Sequence, residues 1–216
     1  MAEALSTARE RVGMPDRLGT VLDFGCGVGR LAIPLAREAD RVVGLDISPA
    51  MLREAEANCS EAGIANIEFH CSKPWPLSES DRFELVHSHI VLQHVPVRTG
   101  ETLLRRLVNA IAPSGTGIIH ITYAKSDSAI RWLALARKHV PFANSLVNIA
   151  RGRPFLAPPM EMNDYDLNRV FHFLQMSGID RTHVEFTDHG GHLGVSLYFR
   201  MPGEIGDHSQ LASEAK

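Results

Sequence analysis

Three glycines spaced Gly25-x-Gly27-x-Gly29 follow two residues after Asp23, and a second acid, Asp46, closes the apolar run Val42-Val-Gly-Leu-Asp46. Glycine in that spacing lets a chain turn tightly at the end of a strand and keeps Cβ atoms out of the path of a ligand approaching the backbone. A dinucleotide site would need a small residue where Arg30 stands, and Asp23 would repel a diphosphate. The same carboxylate attracts an ammonium, directly or through water. Asp46, at the end of a strand, can accept both hydroxyls of a ribose. These residues ask for a nucleoside with a cationic amino-acid tail.

A second group of residues could move protons. His87 and His89 are spaced i, i+2, so on an extended strand they share a face, with His89 at the rim. His94 follows on a short helical turn, and His189, His192 and Tyr123 are further titratable groups near the expected ends of later strands. His89 and His192 are the candidates for a catalytic base. A metal held by His87, His89, His189 and His192 is not expected, because oxygen-rich sites need carboxylates and the segments after these strands offer none before Asp127.

The elements that must position these groups follow from pattern and punctuation. Strands are expected at 20–24, 42–45, 67–71, 84–87, 116–122, 182–187 and 193–201. Helices are expected within 1–14, at 28–38 with Pro34 tolerated only near the first turn, at 49–62 capped by Ser48 with Pro49 first, at 100–112 and at 163–177. Residues 124–163 interrupt this alternation with two amphipathic pieces and the Pro-rich loop 151–159. An insertion there overlies the ligand-binding edge of a parallel sheet, so a substrate lid is expected, a dimer surface being the alternative. Residues 1–201 read as one domain and 202–216 as a disordered tail.

Asp23-Phe-Gly-Cys-Gly-Val-Gly29 and Gly44-Leu-Asp-Ile-Ser-Pro-Ala-Met-Leu52 resemble the first two motifs of the class I S-adenosylmethionine-dependent methyltransferases, small-molecule branch. Phe83-Glu-Leu-Val-His-Ser-His-Ile-Val-Leu-Gln-His-Val-Pro96 resembles their fourth-strand motif, and Leu107-Val-Asn-Ala-Ile-Ala-Pro-Ser-Gly-Thr-Gly117 the turn before strand five. The resemblance implies an α/β fold: a single Rossmann-like, seven-stranded, mostly parallel sheet in the order 3-2-1-4-5-7-6, with helices on both faces. It implies S-adenosyl-L-methionine as cofactor, held by Asp23, Gly25, Gly27, Gly29, Asp46, Ile47, Ser72 and His89. Where relatives often carry an acid for the adenine amino group, this chain reads His70-Cys-Ser-Lys-Pro-Trp75. Ser72 is expected to take that contact, and Trp75 either stacks on the ring or belongs to the core.

Composition sets the outer limits. The chain has 216 residues, 44% hydrophobic, with a formal net charge of −3. It carries no basic block, so a nucleic-acid partner is not expected. No run approaches the ~20 apolar residues of a membrane span, and the N-terminus lacks a signal-peptide layout, so no membrane association and a cytoplasmic location are expected. The three cysteines form no Cys-x-x-Cys and read as reduced thiols. The expectation is methyl transfer by in-line displacement to an oxygen or nitrogen of a small-molecule metabolite, by a monomer or homodimer. A non-catalytic cofactor-binding adaptor is the main alternative, and a nicotinamide-dependent oxidoreductase a weaker one.

Overall fold

The computed structural model describes residues 1–126 and 162–203. The expected lid at 124–163 and the expected tail therefore lie almost entirely outside the described residues. Within them the chain runs α1 (Ala2–Val12), β1 (Leu18–Phe24), α2 (Ala32–Ala36), β2 (Ala39–Asp46), α3 (Pro49–Glu61), β3 (Ile67–Cys71), β4 (Phe83–Ser88), a 3-10 turn (Leu92–His94), α4 (Val97–Asn109), β5 (Ile111–Lys125), α5 (Leu167–Met176), β6 (Thr182–Asp188) and β7 (His192–Arg200). The seven strands form one sheet in the order β3-β2-β1-β4-β5-β7-β6, as expected. The first five run parallel and β7 is antiparallel to both neighbours.

Alternation along the strands splits the core into two layers, one on each face of the sheet. Leu22, Val43, Val86, Ile119, Ile121, Leu197 and Phe199 pack with α4 and α5. Val21, Val42, Leu85, Ile118 and Tyr198 pack with α1, α2 and α3 on the other side. A side chain of this kind fully removed from water contributes about 1.5–3 kcal/mol, so the paired layers make the sheet a rigid base for what sits on its edge.

Several elements differ in length from the expectation, for identifiable reasons. The helix expected over 28–38 is only Ala32–Ala36. Gly27 and Gly29 take φ of 55° and 80°, outside the right-handed helical region, and hold residues up to Leu31 as a loop. Pro34 also removes one donor from the short helix. The strands β2 and β5 run longer than their apolar centres, because polar residues such as Arg41 continue the ladder at the margins. The Ser48 cap is realised, with its hydroxyl accepting from the Met51 N–H at 3.4 Å and Pro49 opening α3. Trp75 takes the core alternative: its ring lies 6.0 Å from that of Phe24, and the Arg106 guanidinium covers it at 5.5 Å. Among the described residues no helix is long and apolar enough to cross a membrane.

Candidate active site

Strand β1 pairs with β2 on one side and β4 on the other, so the connections leave it in opposite directions and open a crevice at its C-terminal end. The glycine loop fills the floor of that crevice. The Gly25 and Cys26 N–H groups both donate to the Leu45 carbonyl, at 2.6 and 3.0 Å, folding the loop over the end of β2. Asn58 of α3 donates to the Val28 carbonyl at 2.9 Å and holds the far side. A Cβ on Gly25 would lie 2.2 Å from Val91, whereas one on Gly27 would meet nothing within 4 Å. The loop is therefore packed from below at Gly25 and open above Gly27.

Asp46 ties the loop to the second strand. Its Oδ2 accepts from the Gly27 N–H at 2.9 Å and its Oδ1 from the Ser48 N–H at 2.8 Å, which leaves one lone pair on each oxygen for a ligand's hydroxyls. Ile47 beside it is 66% exposed, an apolar surface at the mouth of the crevice. The Ser72 N–H donates to the Asp46 carbonyl at 2.8 Å, so the end of β3 joins the same rim. Cys26, below, is buried. Burial, then Asp23 and Asp46, push its thiol well above the ordinary range, so it packs as an inert filler.

Asp23 lies deeper than the other members, at 2% exposed. The register that pairs Asp23 with His87 sets their side chains together, and His87 Nδ1 donates to Asp23 Oδ1 at 2.7 Å. Among the described residues Asp23 Oδ2 has no hydrogen-bond partner although it is buried. That orphaned oxygen, the open space above Gly27 and the exposed face of Ile47 fit the ammonium, backbone approach and base of S-adenosylmethionine.

At the next step along β4 the histidines gather. Ser88 pairs with Ile119, so the following residues, His89 and His120, come side by side across β4 and β5. Their ring centroids are 5.3 Å apart, and His189, in the turn between β6 and β7, approaches both at 5.8 and 5.1 Å. His120 Nε2 shares a hydrogen bond with Thr187 Oγ1 at 2.9 Å. His89 is pushed down to about 4, first by burial and then by His87, His189 and Arg30, with Asp23 opposing; His120 is pushed down to about 3 by burial and its two histidine neighbours. Both rings are thus neutral at physiological pH. Ile90, next in the chain, holds φ of 58°, a conformation costing a β-branched residue about 1–2 kcal/mol and kept only where the surroundings impose it.

The structure brings together Asp23, the glycines, Asp46, Ile47, Ser72 and His89. His192 stands apart from this set: it opens β7 opposite Lys125, and burial followed by Lys125 lowers its pKa. His189, the residue immediately after β6, takes the position beside His89. His120 escaped the sequence reading, since a lone histidine inside Ile118-Ile-His-Ile-Thr122 announces itself only as a polar interruption of an apolar strand. Its pairing with His89 depends on a strand register that no local pattern reveals. Among the described residues no group of three or more His, Cys, Asp or Glu side chains is arranged to hold a metal ion.

A seven-stranded sheet in this order, with a glycine loop and an acid at its switch point, defines the class I Rossmann-like methyltransferase architecture. Residues 21–115 match the family model described as a methyltransferase domain. The chain is 35% identical over 96 residues to the ubiquinone biosynthesis O-methyltransferase of Methylobacterium sp. (strain 4-46), covering 44% of this chain and 38% of that protein. It is 32% identical over 99 residues to the human tRNA (uracil-5-)-methyltransferase homolog A, covering 46% of this chain and 16% of that protein. The chain thus spans less than half the length of these curated relatives. In fold it is similar to the magnesium protoporphyrin IX methyltransferase of Synechocystis PCC 6803 with bound S-adenosylhomocysteine, with a TM-score of 0.63, 21% identity, and 93% of this chain and 80% of that one covered.

Proposed function

We propose that the chain binds S-adenosyl-L-methionine over the glycine loop and transfers its methyl group to an oxygen or nitrogen of a small-molecule metabolite. The observation that carries this reading is the open cradle above Gly27, whose N–H is bound by the Asp46 carboxylate. Asp46 takes the ribose hydroxyls, Ile47 and Ser72 the adenine end, and the orphaned oxygen of Asp23 the ammonium, through a water. When bound, the cofactor supplies a methyl group already activated by a sulfonium charge. The protein's task is then to hold an acceptor lone pair in line and to receive a proton from it. His89, uncharged and at the rim, is the group placed for that.

The formal net charge of −3 favours a small acceptor over RNA, although some relatives are named for RNA substrates. Three free cysteines support a cytoplasmic setting. Calorimetry of the full chain with S-adenosylhomocysteine tests the cofactor assignment. Micromolar binding is expected, weakened at least about tenfold by Asp46→Ala, which removes both ribose acceptors and the bond to Gly27. Binding of a nicotinamide dinucleotide in its place would overturn it. Transfer of labelled methyl to a panel of phenols, hydroxy acids and amines, with tRNA as the competing substrate, tests the acceptor class.

A further inference from the structure

The histidines beside the proposed methyl-transfer position make a set larger than one base requires. His89 is half-buried, His120 is buried at 2% exposed, and His189 is exposed on the turn between β6 and β7. Every pair among the three is in edge-to-face contact, at 5.1–5.8 Å between centroids, so the rings form a continuous path from the crevice to solvent. The turn that carries His189 is built to keep it there. Gly190 and Gly191 take φ of 65° and 86°, Asp188 Oδ1 accepts from the Gly191 N–H, and the His189 N–H donates to the His192 carbonyl at 3.1 Å. From below, Thr187 anchors His120 at 2.9 Å.

Resting on the methyl-transfer reading above, we propose that His189 acts through His89 as a proton relay, taking the acceptor's proton from it and delivering it to solvent, and that His120 is the positioning residue holding the two rings in contact. In the balanced step the acceptor X–H forms its X–C bond with the methyl carbon. The C–S bond breaks with its electron pair left on sulfur, and the proton moves from X to His89. From His89 it passes to His189, directly or through one water, and then to bulk. The products are methylated acceptor, thioether and one proton, and no oxidant or metal is required.

The surroundings explain why a second group is needed. The groups facing His89 are His87 and Asp23 from below, Arg30 from the glycine loop, His120 from β5 and His189 from the hairpin. Asp23 alone among these favours a charged His89 ring, and its Oδ1 is engaged by His87. A proton on His89 is therefore poorly held and must leave quickly for transfer to be productive. His189 is the most exposed member of the set, and it hands the proton to bulk water.

Two measurements on the full chain test this. The first is an imidazole titration by nitrogen-15 NMR with S-adenosylhomocysteine as the probe. His189→Gln should raise the midpoint of His89 by removing a like-charged neighbour, and an unmoved midpoint would overturn the coupling. The second is the pH–rate profile with whichever phenol of the panel accepts methyl. His189→Gln should slow turnover about tenfold or more with KM nearly unchanged, with partial recovery on adding free imidazole, and His120→Asn should give a smaller loss. An unchanged rate, or a loss that imidazole does not relieve, would sink the proposal. If the wild-type chain binds S-adenosylhomocysteine but methylates nothing, the functional reading fails separately, and the titration alone decides whether the histidines are coupled.

Discussion

At the scale of single residues, the pair Asp23–His87 carries the largest local stake. Both side chains are nearly sealed from water, and their 2.7 Å hydrogen bond compensates one carboxylate oxygen and one ring nitrogen. Removing one partner of a buried pair leaves the other polar group uncompensated, which costs about 1–3 kcal/mol. Asp23→Ala is therefore expected to lower the unfolding free energy by roughly that amount in a urea titration, whereas Asp23→Asn, which keeps an acceptor for His87, should lose less. Retention of full stability in Asp23→Ala would show that the pair does not support the crevice floor. The sequence made Asp23 conspicuous because it precedes a glycine loop, and the ligand reading came from that position. What it could not display was the pairing with His87, since the partner of a strand residue is set by register with a strand 64 residues away.

At the scale of elements, the packing of β2 against β3 and the loop is a tight constraint on the cofactor end. A Cβ on Gly44 would lie 2.6–2.7 Å from carbons of the Phe69 ring and 3.1 Å from Cys26 Sγ. Overfilling of this kind typically costs about 1–3 kcal/mol. Gly44→Ala should accordingly lower the melting temperature and also weaken S-adenosylhomocysteine binding, because Cys26 belongs to the loop. Pairing it with Phe69→Leu should return most of the stability, and failure to do so would place the clash elsewhere. The Ser48-Pro49 start of α3 and the chain positions of all seven strands could be read from periodicity and punctuation, since those signals are local, whereas strand order came only from the resemblance to the methyltransferases. The short α2 could not. Its apolar spacing runs past the loop, and only the positive φ of Gly27 and Gly29 shows where the helix cannot begin. Trp75 was ambiguous for a related reason: an aromatic after a strand serves a core or a ligand equally well until its neighbours are known.

At the scale of the whole molecule, the neutral histidines make folding sensitive to acid. In the folded chain His89 and His120 bind protons only near pH 4 and 3, whereas in the unfolded chain they do so near 6.5. Below about pH 6.5 the unfolded state therefore holds more protons, and stability rises with pH through that range. Their contribution is complete above about pH 6.5 and is lost as pH falls toward 4. Thermal melts between pH 7.5 and 4.5 should show a falling midpoint, and His120→Asn should flatten the decline; an unchanged slope would assign the acid sensitivity to other groups.

The chain leaves the sheet after Ser126 and is described again from Met162, and the two ends are clasped together. Lys125 Nζ donates to the Met162 carbonyl at 3.3 Å and pairs with Asp164 at 2.8 Å, while the Asn163 N–H donates to the Gln93 carbonyl and the Tyr165 N–H to that of Thr122. Departure and return share one latch, so whatever occupies residues 127–161 is, for the sheet, a closed detour. The entropy of closing such a detour changes only with the logarithm of its length. Replacing residues 127–161 with a short Gly/Ser linker should therefore leave the melting temperature within a few degrees and S-adenosylhomocysteine binding intact. A collapse of the sheet on that exchange would show the latch to be inadequate. If the latch holds, the sheet and the cofactor crevice on its edge are fastened by Lys125, Gln93 and Thr122 from within, and stand on their own closure.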